Sequence, residues 1–320
     1  MQKSKIVFLD AATVDWKDQK FHALKKMGQV KIYSQTLPSQ ILARCRGFKH
    51  VITNKVAFNR QTILALRDVK AIHVAATGVN IIDLKAAQEC GMVITNVRGY
   101  STESVTQMTW TFILALVSRA REYESAIKRR AWSRQPFFAL TTIPFNEIAG
   151  KTLAIIGFGT IGKRVAEIGK SFGMNILVAK IPGRTYPRNQ KRVALHQALQ
   201  RADVISIHTP LSDYTRNLIA HNELQLLKKT AFLINMARGG IVDERALASA
   251  LKSRKIAGAA TDVLAQEPPA ANHPMYNVPN LILTPHIGWA SVEARDRLIN
   301  EIAENIRSFD QGQSRNRLVS

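Results

Sequence analysis

The sequence predicts an α/β fold made of two doubly wound parallel-sheet domains, the second inserted into the first. Three observations carry this prediction. Short β-branched runs alternate with helical spacings in two separate series along 320 residues, the pattern of parallel strands joined by helical crossovers. A glycine-rich turn between a strand and a helix opens the second series. When that series ends, an amphipathic helix long enough to cross back closes the pattern. The boundaries that follow are 1–102 with 291–320 for one domain and 103–290 for the other.

In the first series, 6–9, 30–33, 51–52, 72–75 and 93–94 are apolar β-branched runs, with helical spacing over 61–66 and 84–88. Glu103 to Arg130 then reads as one helix without Gly or Pro, apolar in its first half and basic in its second. Pro136 and Pro144 bracket an irregular arm after it. The second series places strands at 153–156, 176–178, 204–207, 232–234, 258–263 and 281–283, with amphipathic helices between them. Over 292–309, Leu298, Ile302 and Ile306 repeat every four residues and predict a helix. The basic tail after Gln311 is expected to fray.

Composition is that of a globular protein: 46% hydrophobic and 21% charged, with 17 Gly and 11 Pro. It excludes disorder, collagen and coiled coil. No apolar run approaches the roughly 18 residues of a spanning helix, and 6–9 is too short for a secretory signal. Cys45 and Cys90 form no disulfide framework and no CxxC spacing, so a reduced, cytoplasmic, metal-free protein is the expectation. Charge is the unusual quantity: 45 Lys+Arg against 23 Asp+Glu give a formal +22. Such a field favours anionic partners without choosing among them. The excess is partly local, in 180–201 and in 119–134.

Gly157-Phe-Gly159-Thr160-Ile161-Gly162 follows a buried strand and opens a helix. In that context the three glycines have separate tasks: a tight turn, backbone approach to a pyrophosphate, and close packing of helix on strand. A dinucleotide is therefore expected there. The acid that usually follows about 20 residues on, to bind the ribose diol, is absent. Lys180 stands there instead with Arg184 close behind, so the expectation leans to NADP(H), whose 2′-phosphate a cation can pair, with NAD(H) left open.

Three ionisable residues fall where strands of the second series end, on the side where ligands bind in open parallel sheets. Arg238 follows 232–234, Glu267 follows 258–263, and His286 follows 281–283. Together they suit hydride chemistry on a 2-hydroxy or 2-oxo acid. Arg238 offers a planar fork for a carboxylate and polarises the ketone oxygen. His286 exchanges the proton of the alcohol. Glu267 stabilises its imidazolium and fixes its orientation.

Several segments, in order, resemble the D-isomer-specific 2-hydroxyacid dehydrogenases across essentially the whole chain. They are Gly157-Phe-Gly159-Thr-Ile-Gly162, Asn235-Met-Ala-Arg238-Gly-Gly, Asp262-Val-Leu-Ala-Gln-Glu267-Pro-Pro and Pro285-His286-Ile-Gly-Trp-Ala-Ser. Gly78-Val-Asn80-Ile-Ile-Asp83 and Asn96-Val-Arg-Gly99-Tyr100-Ser101-Thr102 resemble the substrate-domain motifs of that family. Glu267-Pro-Pro, His273-Pro and Glu293-Ala-Arg295 are most similar to its glycerate dehydrogenase/hydroxypyruvate reductase branch. The resemblance implies a Rossmann-type dinucleotide-binding domain inserted into a flavodoxin-like substrate domain. It implies Arg238, Glu267 and His286 as catalytic residues and Asp262 near the nicotinamide carboxamide, with Thr160, Ile161, Thr209, Pro210 and Ala237 also at the cofactor. It places Asn54 and the amides of Thr77, Gly78 and Val79 at the substrate. It also implies a homodimer formed by the Glu103–Arg130 helix and the arm after it. The substrate expected is D-glycerate/hydroxypyruvate or glyoxylate, with another 2-hydroxy acid as the alternative. A non-enzymatic, NAD(H)-sensing corepressor-like protein is the competing reading, which the intact triad opposes. Neither specific nucleic-acid binding nor membrane association is expected.

Overall fold

The computed structural model describes residues 4–19, 21–187 and 189–319, so Arg188, one of the cations in the basic 180–201 stretch, lies outside the described residues. The chain divides into two compact units, Met1–Ser101 with Trp289–Ser320 and Thr102–Gly288.

The first unit begins with β1 (Ser4–Phe8), α1 (His22–Met27), β2 (Gly28–Ile32), α2 (Ile41–Cys45) and β3 (His50–Thr53). It continues through α3 (Arg60–Ala65), β4 (Ala71–Val74), α4 (Leu84–Glu89) and β5 (Val93–Thr95). Two of these helices start on side-chain caps. Asn59 accepts from the Thr62 amide and Asp83 from the Ala86 amide, each satisfying a donor the first helical turn leaves unpaired.

The second unit follows as α5 (Thr102–Val117), α6 (Ala120–Lys128), β6 (Thr152–Ile156), α7 (Thr160–Ser171), β7 (Asn175–Val178) and α8 (Leu195–Arg201). Then come β8 (Val204–Ile207), α9 (His221–Leu226), β9 (Phe232–Asn235), α10 (Glu244–Lys252), β10 (Gly258–Thr261) and β11 (Leu281–Leu283). The chain returns to the first unit with α11 (Val292–Asp310) and β12 (Arg317–Val319).

Strand order in the first unit is β12-β5-β4-β3-β1-β2. Five strands are parallel and β12 runs antiparallel to β5. The expected frayed tail is thus corrected: Leu318 and Val319 pack against buried residues, and pairing with β5 satisfies backbone groups an edge would leave open. The sheet has a core on each face. One gathers Ile6, Phe8, Leu24, Leu298, Ile302 and Ile306 under α1 and α11; the other gathers Val7, Leu9, Ile63, Val74 and Ile94 under α3 and α4.

The second unit's sheet is wholly parallel, in the order β11-β10-β9-β8-β6-β7. Among the described residues no further strand lies beyond β7. Beyond Ala179 the described residues run as loop to Val193, which bridges back to Ala179. Ala154 and Ile156 face the core beneath α8, α9 and α10, while Leu153 and Ile155 face α7, where Gly162 and Gly169 let the helix approach.

The single helix expected over 103–130 is two helices. Arg119 adopts φ +55° between them, the left-handed region that costs a side chain free energy. Its guanidinium holds Glu122 and the Pro144 carbonyl, contacts that fix the corner. Periodicity alone cannot see such a break, because both halves keep helical spacing.

Candidate active site

The glycine turn has the shape its spacing demands. Gly157, at φ +96°, sits so close to the backbone of His208 that an added Cβ would lie 2.5 Å from its carbonyl. A Cβ on Gly162 would lie 2.1 Å from the Gly157 oxygen, whereas one on Gly159 meets nothing within 4 Å. Two glycines are therefore required by crowding and the third stands in open space at the start of α7. The first turn of that twelve-residue helix carries no acid, so its amide ends attract anions. Thr160, Ile161 and Gly162 supply that turn, and the fit to a dinucleotide diphosphate is good.

Beyond β7, Lys180 is exposed, and among the described residues no carboxylate pairs with it or with Arg184. The Arg184 guanidinium lies over the Tyr214 ring at 6.0 Å. At the end of β8, Thr209 is buried and Pro210 accepts the Thr215 hydroxyl through its carbonyl. His208 before them bonds Ser206 through Nε2 at 2.7 Å. Its Nδ1 is buried without a partner, and burial pushes the ring's pKa down to about 3. Sequence reading passed over this pair. A histidine directly before Thr-Pro at a strand end was the available signal.

Strands β9, β10 and β11 are consecutive in the sheet, and their carboxyl ends bring three predicted residues into one cluster. After β9, the Asn235 side chain accepts from the Ala237 amide and donates to the Arg238 carbonyl, closing a tight turn. The Arg238 guanidinium donates to the Ala237 carbonyl at 2.7 Å and is otherwise exposed. Gly239 is pressed against Leu264, where a Cβ would lie 2.0 Å from its carbonyl. Leu264 in turn donates its amide to Glu267 Oε1 at 2.9 Å. Glu267 Oε2 meets His286 Nδ1 at 2.6 Å. The arginine turn, the carboxylate and the imidazole thus form one continuous chain of contacts.

His286 stands at φ +55°, a backbone state that needs outside support in a residue with a Cβ. Asp262 gives it. This buried carboxylate accepts from the Thr284 hydroxyl (2.6 Å) and the Ile287 amide (2.8 Å) on one oxygen and from the Gly288 amide (2.7 Å) on the other. Its own carbonyl accepts from the His286 amide at 2.8 Å. Burial raises the Asp262 pKa, against the pull of those donors and of His286. Both of its oxygens are committed to the His286 loop. Thr284 was not singled out from the sequence, although a buried carboxylate at a strand end demands nearby donors of this kind.

Among the first-unit residues expected at the substrate, Asn54 is buried after β3, its amide donating to Asp10 Oδ1 at 2.9 Å. Asp10 also accepts from the Lys55 and Val56 amides and was missed in the sequence, where a lone Asp after a strand carries little signal. Burial raises its pKa, opposed by those amides. The loop after β4 is tied by Thr77 Oγ1 to the Val97 carbonyl and by Asn96 Nδ2 to the Thr77 carbonyl. The amides of Thr77, Gly78 and Val79 donate to no group among the described residues. Arg295 is structural: it is buried, holds Asp18 through both nitrogens and lies over Trp16. Among the described residues no group of metal-ligating side chains occurs, and no helix is long and apolar enough to cross a membrane.

The chain is similar to a set of known proteins. Residues 110–288 match the model of the D-isomer specific 2-hydroxyacid dehydrogenase, NAD binding domain. The glycerate dehydrogenase of Methylorubrum extorquens is 36% identical over 315 residues, 98% of each chain. The glyoxylate reductase of Aeropyrum pernix is 40% identical over 260 residues, 77% of this chain and 74% of that one. The D-lactate dehydrogenase of Aquifex aeolicus, solved with NAD and lactic acid, superposes with a TM-score of 0.83 at 27% identity, covering 98% and 99% of the two chains.

Proposed function

The chain belongs to the D-isomer specific 2-hydroxyacid dehydrogenases, and from that premise we propose that it interconverts D-glycerate and hydroxypyruvate, or reduces glyoxylate, with NADP(H) preferred. The observation that carries the chemistry is the Glu267–His286 pair, 2.6 Å apart, on a loop pinned by Asp262 and joined through Leu264 to the Arg238 turn.

The dinucleotide supplies or accepts the hydride when bound. Its diphosphate is assigned to the amides that open α7, at Gly159, Thr160, Ile161 and Gly162, with Thr209, Pro210 and Ala237 at its remaining edges. Glu267 takes Nδ1 of His286, so proton exchange with the substrate oxygen falls to Nε2. In reduction the imidazolium gives its proton to the forming alcohol, and Glu267 offsets the charge of the ring until it does. In oxidation Nε2 takes the hydroxyl proton. Arg238 binds the carboxylate as a fork and draws electron density from the carbonyl oxygen. The unpaired amides of Thr77, Gly78 and Val79 support a role in holding a carboxylate, with Asn54 held in place by Asp10.

Two measurements test this reading. Absorbance at 340 nm, crossing NADPH and NADH with hydroxypyruvate, glyoxylate and pyruvate, is expected to give the highest kcat/KM for hydroxypyruvate with NADPH. Highest activity on pyruvate overturns the substrate assignment. In Lys180→Asp, the NADPH-to-NADH ratio of kcat/KM is expected to fall about tenfold or more, as a charge-assisted phosphate contact implies; an unchanged ratio removes the cofactor argument.

A second copy of the chain is proposed to pair through α5, α6 and the arm after them. Trp132, Phe137, Phe138 and Phe145 there are all more than half exposed, Phe138 at 93%, large apolar side chains that a partner copy would cover. A sedimenting species of twice the chain mass checks it. The cytoplasm is the proposed location.

A further inference from the structure

The first unit has a cavity of about 870 Å³ at the amino ends of β1, β3 and β4, the end of its sheet opposite the Asn54 and Thr77 loops. Six cations line it: Lys5, Lys26, Lys49, Arg67, Lys70 and Arg307. Some have local reasons to be there. Lys26 and Arg307 sit in the last turns of α1 and α11, where the helix dipole favours positive charge, and Lys49 is paired with Asp310. Lys5, Arg67 and Lys70 are different. They stand in strand starts and loops, and among the described residues no carboxylate pairs with any of them. The other acid of the cavity, Asp68, is engaged by the Gly47 amide. The walls add an apolar patch from Met27 and Phe48.

We propose that this cavity is a second anion site, which takes a small phosphorylated molecule carrying two or more negative charges. The volume suits a sugar-phosphate or nucleotide-sized ligand, with the phosphates on Lys5, Arg67 and Lys70 and the carbon skeleton against Phe48.

The site is wired to the interior. Asp310, which holds Lys49 on the cavity side, accepts from Ser4 and bonds His50 Nε2 at 3.2 Å on the other. His50 Nδ1 meets His73 Nε2 at 3.1 Å, and His73 Nδ1 meets Thr95 Oγ1 at 2.8 Å. The Phe309 ring packs edge-on against His50. An anion bound on Lys5, Arg67 and Lys70 beside Lys49 offsets the positive charge of Lys49 at His50 and adds a negative one. Protonation of His50 then becomes easier, which a nuclear magnetic resonance titration of its ring reads directly.

The test uses pyrophosphate as the probe, titrated calorimetrically into the full chain at low ionic strength. Expected are one site lost at least tenfold in affinity in Lys5→Glu/Arg67→Glu, a smaller loss in Lys70→Gln, and no loss at that site in Lys180→Glu. The His50 resonance should move on saturation and its midpoint should rise. Lys70→Gln keeps the test decisive if the double variant does not fold. Unchanged affinity in Lys70→Gln and the double variant, loss confined to Lys180→Glu, or a His50 resonance unmoved at saturating pyrophosphate overturns the proposal.

Discussion

His286→Ala is expected to bind NAD(P)H as the unaltered protein does and to turn over substrate about 10²–10⁴-fold more slowly, the range that a positioned general acid–base contributes. The imidazole follows β11, at the far side of the sheet from β6 and its glycine turn, so cofactor affinity is expected to hold, as quenching of protein fluorescence reads. Turnover does, because no other side chain on the loop carries a proton at that point. Glu267→Gln separates the two parts of the pair. It keeps a hydrogen-bonding oxygen near Nδ1 but not the charge that offsets the imidazolium, so kcat should fall by less than in His286→Ala while cofactor affinity holds. A His286→Ala protein with normal kcat would remove the assignment of the proton to this residue.

Acid is expected to destabilise the protein well before its carboxylates titrate. Burial holds His50 below the ordinary imidazole value and His73 well below it, with His50 and His73 also facing one another, and His208 is driven to about 3. An unfolded chain protonates all three near 6.5. Below that pH the unfolded state therefore holds more protons than the native one, and stability falls as pH falls, by about 1.4 kcal/mol per pH unit for each histidine that stays neutral. The loss ends only when the folded-state values are reached. Asp10 and Asp262, whose values are raised, act in the opposite sense but in the carboxylate range. Urea denaturation between pH 7.5 and 5.5 isolates the histidine contribution. His50→Gln/His73→Gln should flatten the slope, and an unchanged slope in that variant would show the pair to be no part of it.

The fold was largely legible because its signals are local and repeated. Runs such as Leu153–Ile156, buried on both faces, can hardly be read otherwise, and a glycine turn between strand and helix has few meanings. The placement of Arg238, Glu267 and His286 at neighbouring strand ends was legible for a topological reason: in a parallel sheet those carboxyl ends share one edge, so residues distant in sequence can be placed together. What escaped depends on partners that sequence spacing does not order. Asp10 matters through the amides of Asn54, Lys55 and Val56, Thr284 through a carboxylate 22 residues away, and Arg119 through a corner that keeps helical spacing on both sides. The tail was misread for a related reason, since its strand exists only by pairing with β5.

That pairing, and α11 before it, have a consequence for how the protein is made. The inserted unit leaves the ribosome as one uninterrupted stretch and can close its core at once. The first unit cannot, because Leu298, Ile302 and Ile306 cover a face that Ile6, Phe8 and Leu24 began. Throughout synthesis of the intervening residues that greasy half-surface waits for its lid. Nascent chains stalled before residue 292 should accordingly be the form that chaperones grip most tightly, and release should coincide with the emergence of the closing helix.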